Sequence, residues 1–467
     1  MFHDHPIETQ ADIFRWTASG MEFHRPFSDS APIQLCMVCS DWRDIAIQTP
    51  FLWQSLEIDV TSIGEIETWV DTLRRWLLRS ATQPLSIKLI VDPRKHFSQH
   101  WPCLAHIVSL LETLFKESRR WERIILDLTF INHADGASVP MWNSSTSLHF
   151  LSLKNLAISA SAEVADWINQ RTHLDNTPLP HLRTFHLDGG ELLSPLIRTI
   201  NLPLDDLDYL SLHVFPSIDD CFDVMRECKS TSHLTIGLGT LFHLIPAAIN
   251  ASPIEVYLPN LRSFHITSHA GIIGFLDHIA LPQLKRFRIE LMWGFFEDEE
   301  DLEYPIWPSE AITAFFLRSA CHISSLHLDN VNLTSSDAME LLLCVGESLE
   351  ILHIGGNQSP LRGVSRVFTI DDSIFELLMW DPSERCSRLI HISLDGYVSC
   401  TVGVLSRMVM SRVVSGHDSL LSLEKLHITS CDYEDLLDDF LNIAGMGMDK
   451  LDLALFNDLH QSVSIQR

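Results

Sequence analysis

The chain has 467 residues, 46% hydrophobic and 20% charged, enough apolar material for a large core. With 33 Lys and Arg against 61 Asp and Glu the formal net charge is −28, which repels phosphate backbones and argues against a nucleic-acid partner. The ten cysteines are scattered rather than framed as a disulfide scaffold, so reduced thiols and an intracellular location, cytoplasmic or nuclear, are expected.

The start, MFHDHPIETQ, lacks a positive region followed by an apolar run, so no signal peptide is expected. The stretch 236–254 is free of Asp, Glu, Lys and Arg and carries His243, Asn250, two glycines and two prolines. That makes a poor membrane span, and no membrane partner is expected.

A compact block lies at 35–58, LCMVCSDWRDIAIQTPFLWQSLEI, with two tryptophans and a C-x-x-C pair. A zinc site at Cys36 and Cys39 needs two further ligands at comparable spacing; the next cysteine is Cys103, and no second C-x-x-C exists. A redox pair lacks its preceding βαβ pattern. Neither metal nor cofactor is expected. The helical reading places Leu35, Val38, Trp42 and Ile45 on one face, with Cys39 as a small buried hydrophobe. Pro50 then ends that helix, and Phe51, Leu52 and Trp53 pack after it.

The run V-C-S-D-W-R-D-I-A-I-Q-T-P-F-L-W-Q-S-L (38–56) resembles the second half of an F-box, in the form common in mushroom-type fungi. P-I-E-T-Q-A-D-I-F (6–14) resembles the first half, and W-L-L-R-S-A-T-Q-P-L-S-I (76–87) is similar to the segment leading such proteins into their repeats. The resemblance implies a three-helix module at 1–60 that docks on the Skp-type adaptor of a cullin ubiquitin ligase. By position, it implies adaptor contacts at Pro6, Ile7 and Ile13, and at Leu35, Val38 and Trp42, the last three partly contact and partly core. Trp53 would support the junction with the repeats.

Residues 61–120 are expected to hold a connecting helix and the first repeat units. Leu104, Ile107, Val108, Leu111, Leu114 and Phe115 match the spacing of one buried helical face.

From 121 to 467 one pattern recurs: apolar, two residues, apolar, one residue, apolar. The copies are LHFLSL (148–153), LRTFHL (182–187), LDYLSL (207–212), LRSFHI (261–266), LKRFRI (284–289), ISSLHL (323–328), LEILHI (349–354), LIHISL (389–394), LEKLHI (423–428) and MDKLDL (448–453), with WERIIL (121–126) and SHLTIG (232–237) as weaker ones. Terminal alternation is a strand signal, and helical patterns lie between copies near 161–169, 219–228, 309–319, 335–345, 371–380 and 431–443. One strand and one helix about every 23 to 40 residues resembles the leucine-rich-repeat family. The expected fold class is therefore α/β: a small α-helical F-box-like module, then an irregular leucine-rich-repeat solenoid. Parallel strands would line its concave face and helices its convex face.

On the concave face the residue between the last two apolar positions points outward. That column reads Ile125, Ser152, His186, Ser211, Thr235, His265, Arg288, His327, His353, Ser393, His427 and Asp452, with Asp188, Glu290, Asp329 and Asp395 two positions later on the same face. His186, His265, Arg288, His327, His353 and His427 are the candidate contacts for an unknown protein target, with imidazole charge changing near neutral pH. The ligands show no closed tetrahedral grouping for a metal. The acidic run FFEDEEDLE (295–303) reads as a solvated insertion loop.

No G-x-S-x-G, G-x-x-x-x-G-K-[ST], H-E-x-x-H or G-x-G-x-x-G occurs, so the chain is not expected to be an enzyme. Two functions fit. One is the substrate-recognition subunit of a Skp–cullin–F-box ligase, acting by proximity. The other is a non-catalytic repeat scaffold with a degenerate box and no ubiquitin role.

Overall fold

The computed structural model describes residues 5–18, 23–26, 30–60, 66–91, 104–129, 149–160, 179–188, 202–215, 218–239, 256–268, 272, 274–291, 307–331, 333–356, 369–380, 386–413, 423–429, 434–445, 451–456 and 462–464. The chain forms two compact units, Met1–Val214 and Phe215–Arg467. The acidic run at 295–303 and the helical pattern at 161–169 lie outside the described residues.

The first unit opens with three short helices, α1 (Ile7–Ala18), α2 (Ala31–Val38) and α3 (Ser40–Ile47), and a 3-10 turn at Pro50–Trp53. Gln10, Phe14 and Ala18, spaced by four, form the inner stripe of α1. The single helix expected across 35–45 is instead two. Cys39 is extended (φ −159°), and its Sγ accepts the Trp42 N–H at 3.4 Å as the N-cap of α3. The polar Ser40-Asp41 pair after it suits a first helical turn better than a helix interior. The break removes the shared face: Leu35 is buried, Val38 exposed, and Trp42, Ile45 and Cys39 half-buried.

Strand β1 (Ser55–Val60), helix α4 (Ile66–Arg79), strand β2 (Leu85–Val91) and helix α5 (Leu104–Phe115) precede β3 (Trp121–Leu128), β4 (Asn155–Ala160), β5 (Thr184–Asp188) and β6 (Tyr209–Phe215). These strands pair in sequence order, all parallel. The last six residues of the expected 1–60 module are thus a strand of the sheet. Strand β1 carries the hexad spacing at Trp53, Leu56 and Ile58, in register with β2. There Pro84 stands at the first hexad position, before Ile87 and Leu89, and buried and half-buried side chains alternate throughout β2. Strand β1 is covered on both faces; its Glu57 is buried, 2.9 Å from Arg25 and 3.6 Å from Lys88.

The copy at 148–153 is framed differently in the structure. Leu151 is 65% exposed, whereas Phe150, Leu153, Leu156 and Ile158 are buried, and the strand is NLAISA. The spacing Phe150, Leu153, Leu156, Ile158 repeats that of Leu179, Leu182, Phe185, Leu187. Ala157, not Ser152, therefore aligns with Ile125 and His186. Two overlapping hexads fit the same apolar spacing, and only packing separates them.

The second unit holds α6 (Ile218–Glu227), β7 (His233–Leu238), β8 (Val256–Tyr257), β9 (Ser263–Ser268), β10 (Ile279–Ala280), β11 (Arg286–Leu291), α7 (Ser309–Ser319), β12 (Ser325–Val331), α8 (Ser335–Val345) and β13 (Ile351–Gly356). Then come β14 (Thr369–Asp371), α9 (Asp372–Leu377), β15 (His391–Asp395), β16 (Tyr397–Ser399), α10 (Val404–Val413), β17 (Lys425–Thr429), α11 (Glu434–Gly445), β18 (Asp452–Phe456) and β19 (Ser462–Ser464). Strands β7, β9, β11, β12, β13, β15, β17 and β18 are successive parallel neighbours. Strands β11 and β12, and β13 and β15, pair directly across the two longest repeat spacings, so neither spacing inserts a strand in this sheet. The last strand, β19, is antiparallel. In the final copy the register sets Ala454, not Asp452, beside His427. Alternation at Leu451, Leu453 and Leu455 fits either frame.

Phe264, Phe287, Leu326, Leu352, Ile392 and Leu426 sit at matched positions and are buried. Helices cover that face: the Phe287 ring meets Phe315 and Phe316 of α7 at 5.5 Å. Each such side chain is worth roughly 1.5–3 kcal/mol before entropy. Two buried charges are held locally. Asp439 accepts hydrogen bonds from the Gly403 N–H and Ser406 hydroxyl, and Arg412 donates to the carbonyls of Leu378, Cys386 and Leu389. Burial pulls the Arg412 guanidinium down to about 10.

Candidate functional site

Two surfaces carry the candidate residues. On the N-terminal helices, Pro6 is exposed, as are Ile7 (63%), Ile13 (40%) and Val38 (59%). Leu35 is not available for contact: at 8% exposure it belongs to the core between helices. Trp42 is half-buried against Phe14, ring centroids 5.1 Å apart. Trp53 is fully buried at the start of the sheet; its Nε1 donates to Ala46 O at 2.8 Å and its ring meets Trp76 edge-on at 4.7 Å.

Trp16 (80%) and Met37 (65%) are exposed beside these residues, and the sequence reading missed both. Trp16 lies three residues after Ile13 on the side of α1 away from the Gln10–Phe14–Ala18 stripe. That spacing was the available signal for Trp16. Met37 had none, because its orientation depends on where α2 stops.

The second surface is the half-exposed face of the parallel strands. In the second unit Thr235, His265, Arg288, His327, His353, Ser393, His427 and Ala454 occupy matched register positions. The register brings His265, Arg288, His327 and His353 onto four adjacent strands. His427 is separated from His353 by the Ser393 strand, and His186 belongs to the first unit. Thr235 and Ser211 are buried rather than outward-facing.

Arg288 is the hub. Its Nε donates to Asp329 Oδ2 at 2.9 Å and its Nη2 to Glu290 Oε2 at 3.1 Å. His353 Nε2 bonds Asp329 Oδ1 at 2.8 Å, and His265 Nε2 lies 3.5 Å from Glu290 Oε2. The His327 and His353 rings are 5.7 Å apart. Burial, then the His353 charge, pulls the His327 imidazole below its ordinary value, with Arg288 adding to the fall and Asp329 opposing it. Burial pushes the Asp329 carboxyl up. The His353 hydrogen bond and the charges of His353, Arg288 and His327 outweigh it and hold the carboxyl below the usual carboxylate range.

His427 reaches Asp452 at 3.3 Å; burial and Lys425 lower its imidazole against that carboxylate. In the first unit the His186 and His213 rings meet at 5.5 Å, and burial followed by His213 lowers His186. Chemically this face is a hydrogen-bonding surface of imidazoles around a carboxylate-bound guanidinium.

Among the described residues no group of three His, Cys, Asp or Glu side chains is placed to hold a metal ion. Among them, no helix is long and apolar enough to cross a membrane. Compared with known families and curated proteins, the chain matches no family model and no curated sequence.

Proposed function

We propose that the chain is the substrate-recognition (F-box) subunit of a Skp–cullin–F-box ubiquitin ligase. In this reading helices α1–α3 dock the adaptor, and the strands and helices beyond form a leucine-rich-repeat solenoid that captures a protein target. The observation that carries it is the set of apolar side chains left in water, Ile7, Ile13, Trp16, Met37 and Val38, on a small helical module bearing the V-C-S-D-W-R run. Five exposed apolar groups on so small a module suit a protein partner. The His–Arg–carboxylate face supplies directional hydrogen bonds for the target. The chain performs no chemistry itself; tethering raises the effective concentration of target lysines near the transferring enzyme. An intracellular location follows from the partner.

The test is co-purification of the full chain with a Skp-type adaptor. Ile13→Asp and Val38→Asp should each abolish capture while leaving the melting temperature unchanged. A folded chain that never captures the adaptor leaves only the scaffold reading.

A further inference from the structure

Three helix faces of the first unit converge on a cleft of about 350 Å³. From α4 come Thr72, Arg75, Trp76 and Arg79, spaced i, i+3, i+4, i+7 and so on a single helical face. Arg43 and Ile47 come from α3, and Ile33 and Cys36 from α2.

Several other arginines of this unit are paired with carboxylates. Arg15 pairs with Asp12 at 3.1 Å, Arg25 with Glu57 at 2.9 Å, and Arg74 with Asp71 at 3.5 Å. Those facing the cleft are not. Arg43 Nε donates to the Cys36 carbonyl at 2.9 Å, and Arg79 lies over the Trp53 ring at 4.4 Å. Arg75 is exposed and has no hydrogen bond or ion pair among the described residues. None of the three has a carboxylate partner among those residues, in a chain with 61 acidic residues against 33 basic ones. Converging like charges repel, and an acidic chain has carboxylates to spare; leaving these three unpaired favours an external anion.

Cys36 lines the same cleft, but burial raises its thiol more than Arg79 and Arg43 lower it. The sulfur stays protonated, so the cleft suits ion binding rather than thiolate chemistry.

We propose that this cleft binds a phosphoryl dianion, free or as a small phosphate ester, gripped by Arg43, Arg75 and Arg79. Guanidinium forks match phosphate oxygens bidentately, and Thr72 lines the same space. The volume exceeds one phosphate, and Ile33, Ile47 and Trp76 line an apolar side where the body of an ester fits.

The experiment is calorimetric titration of the full-length chain in phosphate-free buffer, with inorganic phosphate in one arm and phenyl phosphate in the other. Saturable binding is expected in at least one arm. Arg75→Ala should weaken it tenfold or more and Arg75→Glu should abolish it, with melting temperatures unchanged because Arg75 is exposed and has no partner among the described residues. Tighter binding of phenyl phosphate assigns the ester; equal binding assigns free phosphate. Absence of saturable binding in both arms overturns the proposal. So does unchanged affinity in Arg75→Ala, or binding of a glutamate-rich peptide with neither phosphate probe.

Discussion

Arg288 in the second unit is gripped by two carboxylates, whereas Arg43, Arg75 and Arg79 in the first unit share a cleft with none among the described residues. Strand register explains the first arrangement. Parallel neighbours about 4.8 Å apart place Glu290 on the strand of Arg288 and Asp329 on the next, within reach of one guanidinium. The cleft has no such regularity; helices distant in sequence bring their cations together without acids. One site satisfies itself and presents hydrogen bonds. The other holds unspent charge.

The largest test of this contrast is of the frame that holds the cleft. Trp53→Ala removes a buried ring, its bond to Ala46 and its contacts with Trp76 and Arg79, and should cost about 3–5 kcal/mol in urea unfolding. Arg412→Met, in the second unit, leaves three buried carbonyls without their donor and should cost roughly 3 kcal/mol by the same measurement. Asp329→Asn removes the charge shared by Arg288 and His353. Solvent screens this half-exposed site, so a loss of about 1 kcal/mol is expected.

The smallest effect is His327→Gln. The native imidazole lies below its unfolded value of about 6.5, so the unfolded state takes up the proton first. Stability therefore falls as pH drops through that value toward the folded one. The variant should flatten this fall by under about 0.5 kcal/mol, read from melting temperatures between pH 7 and pH 5.

Much of the strand pattern was legible. Nine of the twelve hexads, such as LRSFHI and LEKLHI, lie in frame with their strands, because buried apolar pairs alternate with period two. In SHLTIG the matched pair is Leu234 and Ile236, one residue before the hexad frame. LHFLSL and MDKLDL were misframed because their leucines satisfy two registers at once. Strands β1 and β2 belong to the same series outside the 121–467 repeats. Trp53, Leu56 and Ile58 carry the hexad spacing inside the F-box-like segment, and for β2 a proline, Pro84, stands at the first hexad position. The histidine face was readable as a column, but its hydrogen bonds were not.

What the sequence determined by itself is local: which short segments alternate, where helices run between them, and which residues point away from the apolar pairs. These follow from the two-residue period of a strand and the 3.6-residue period of a helix. Only tertiary structure decided that Leu35 is core while Trp16 and Met37 face water, that Cys39 splits one expected helix into two, and that Arg43 lines one cleft with Arg75 and Arg79. Those outcomes depend on contacts between segments tens of residues apart, and no local period encodes them.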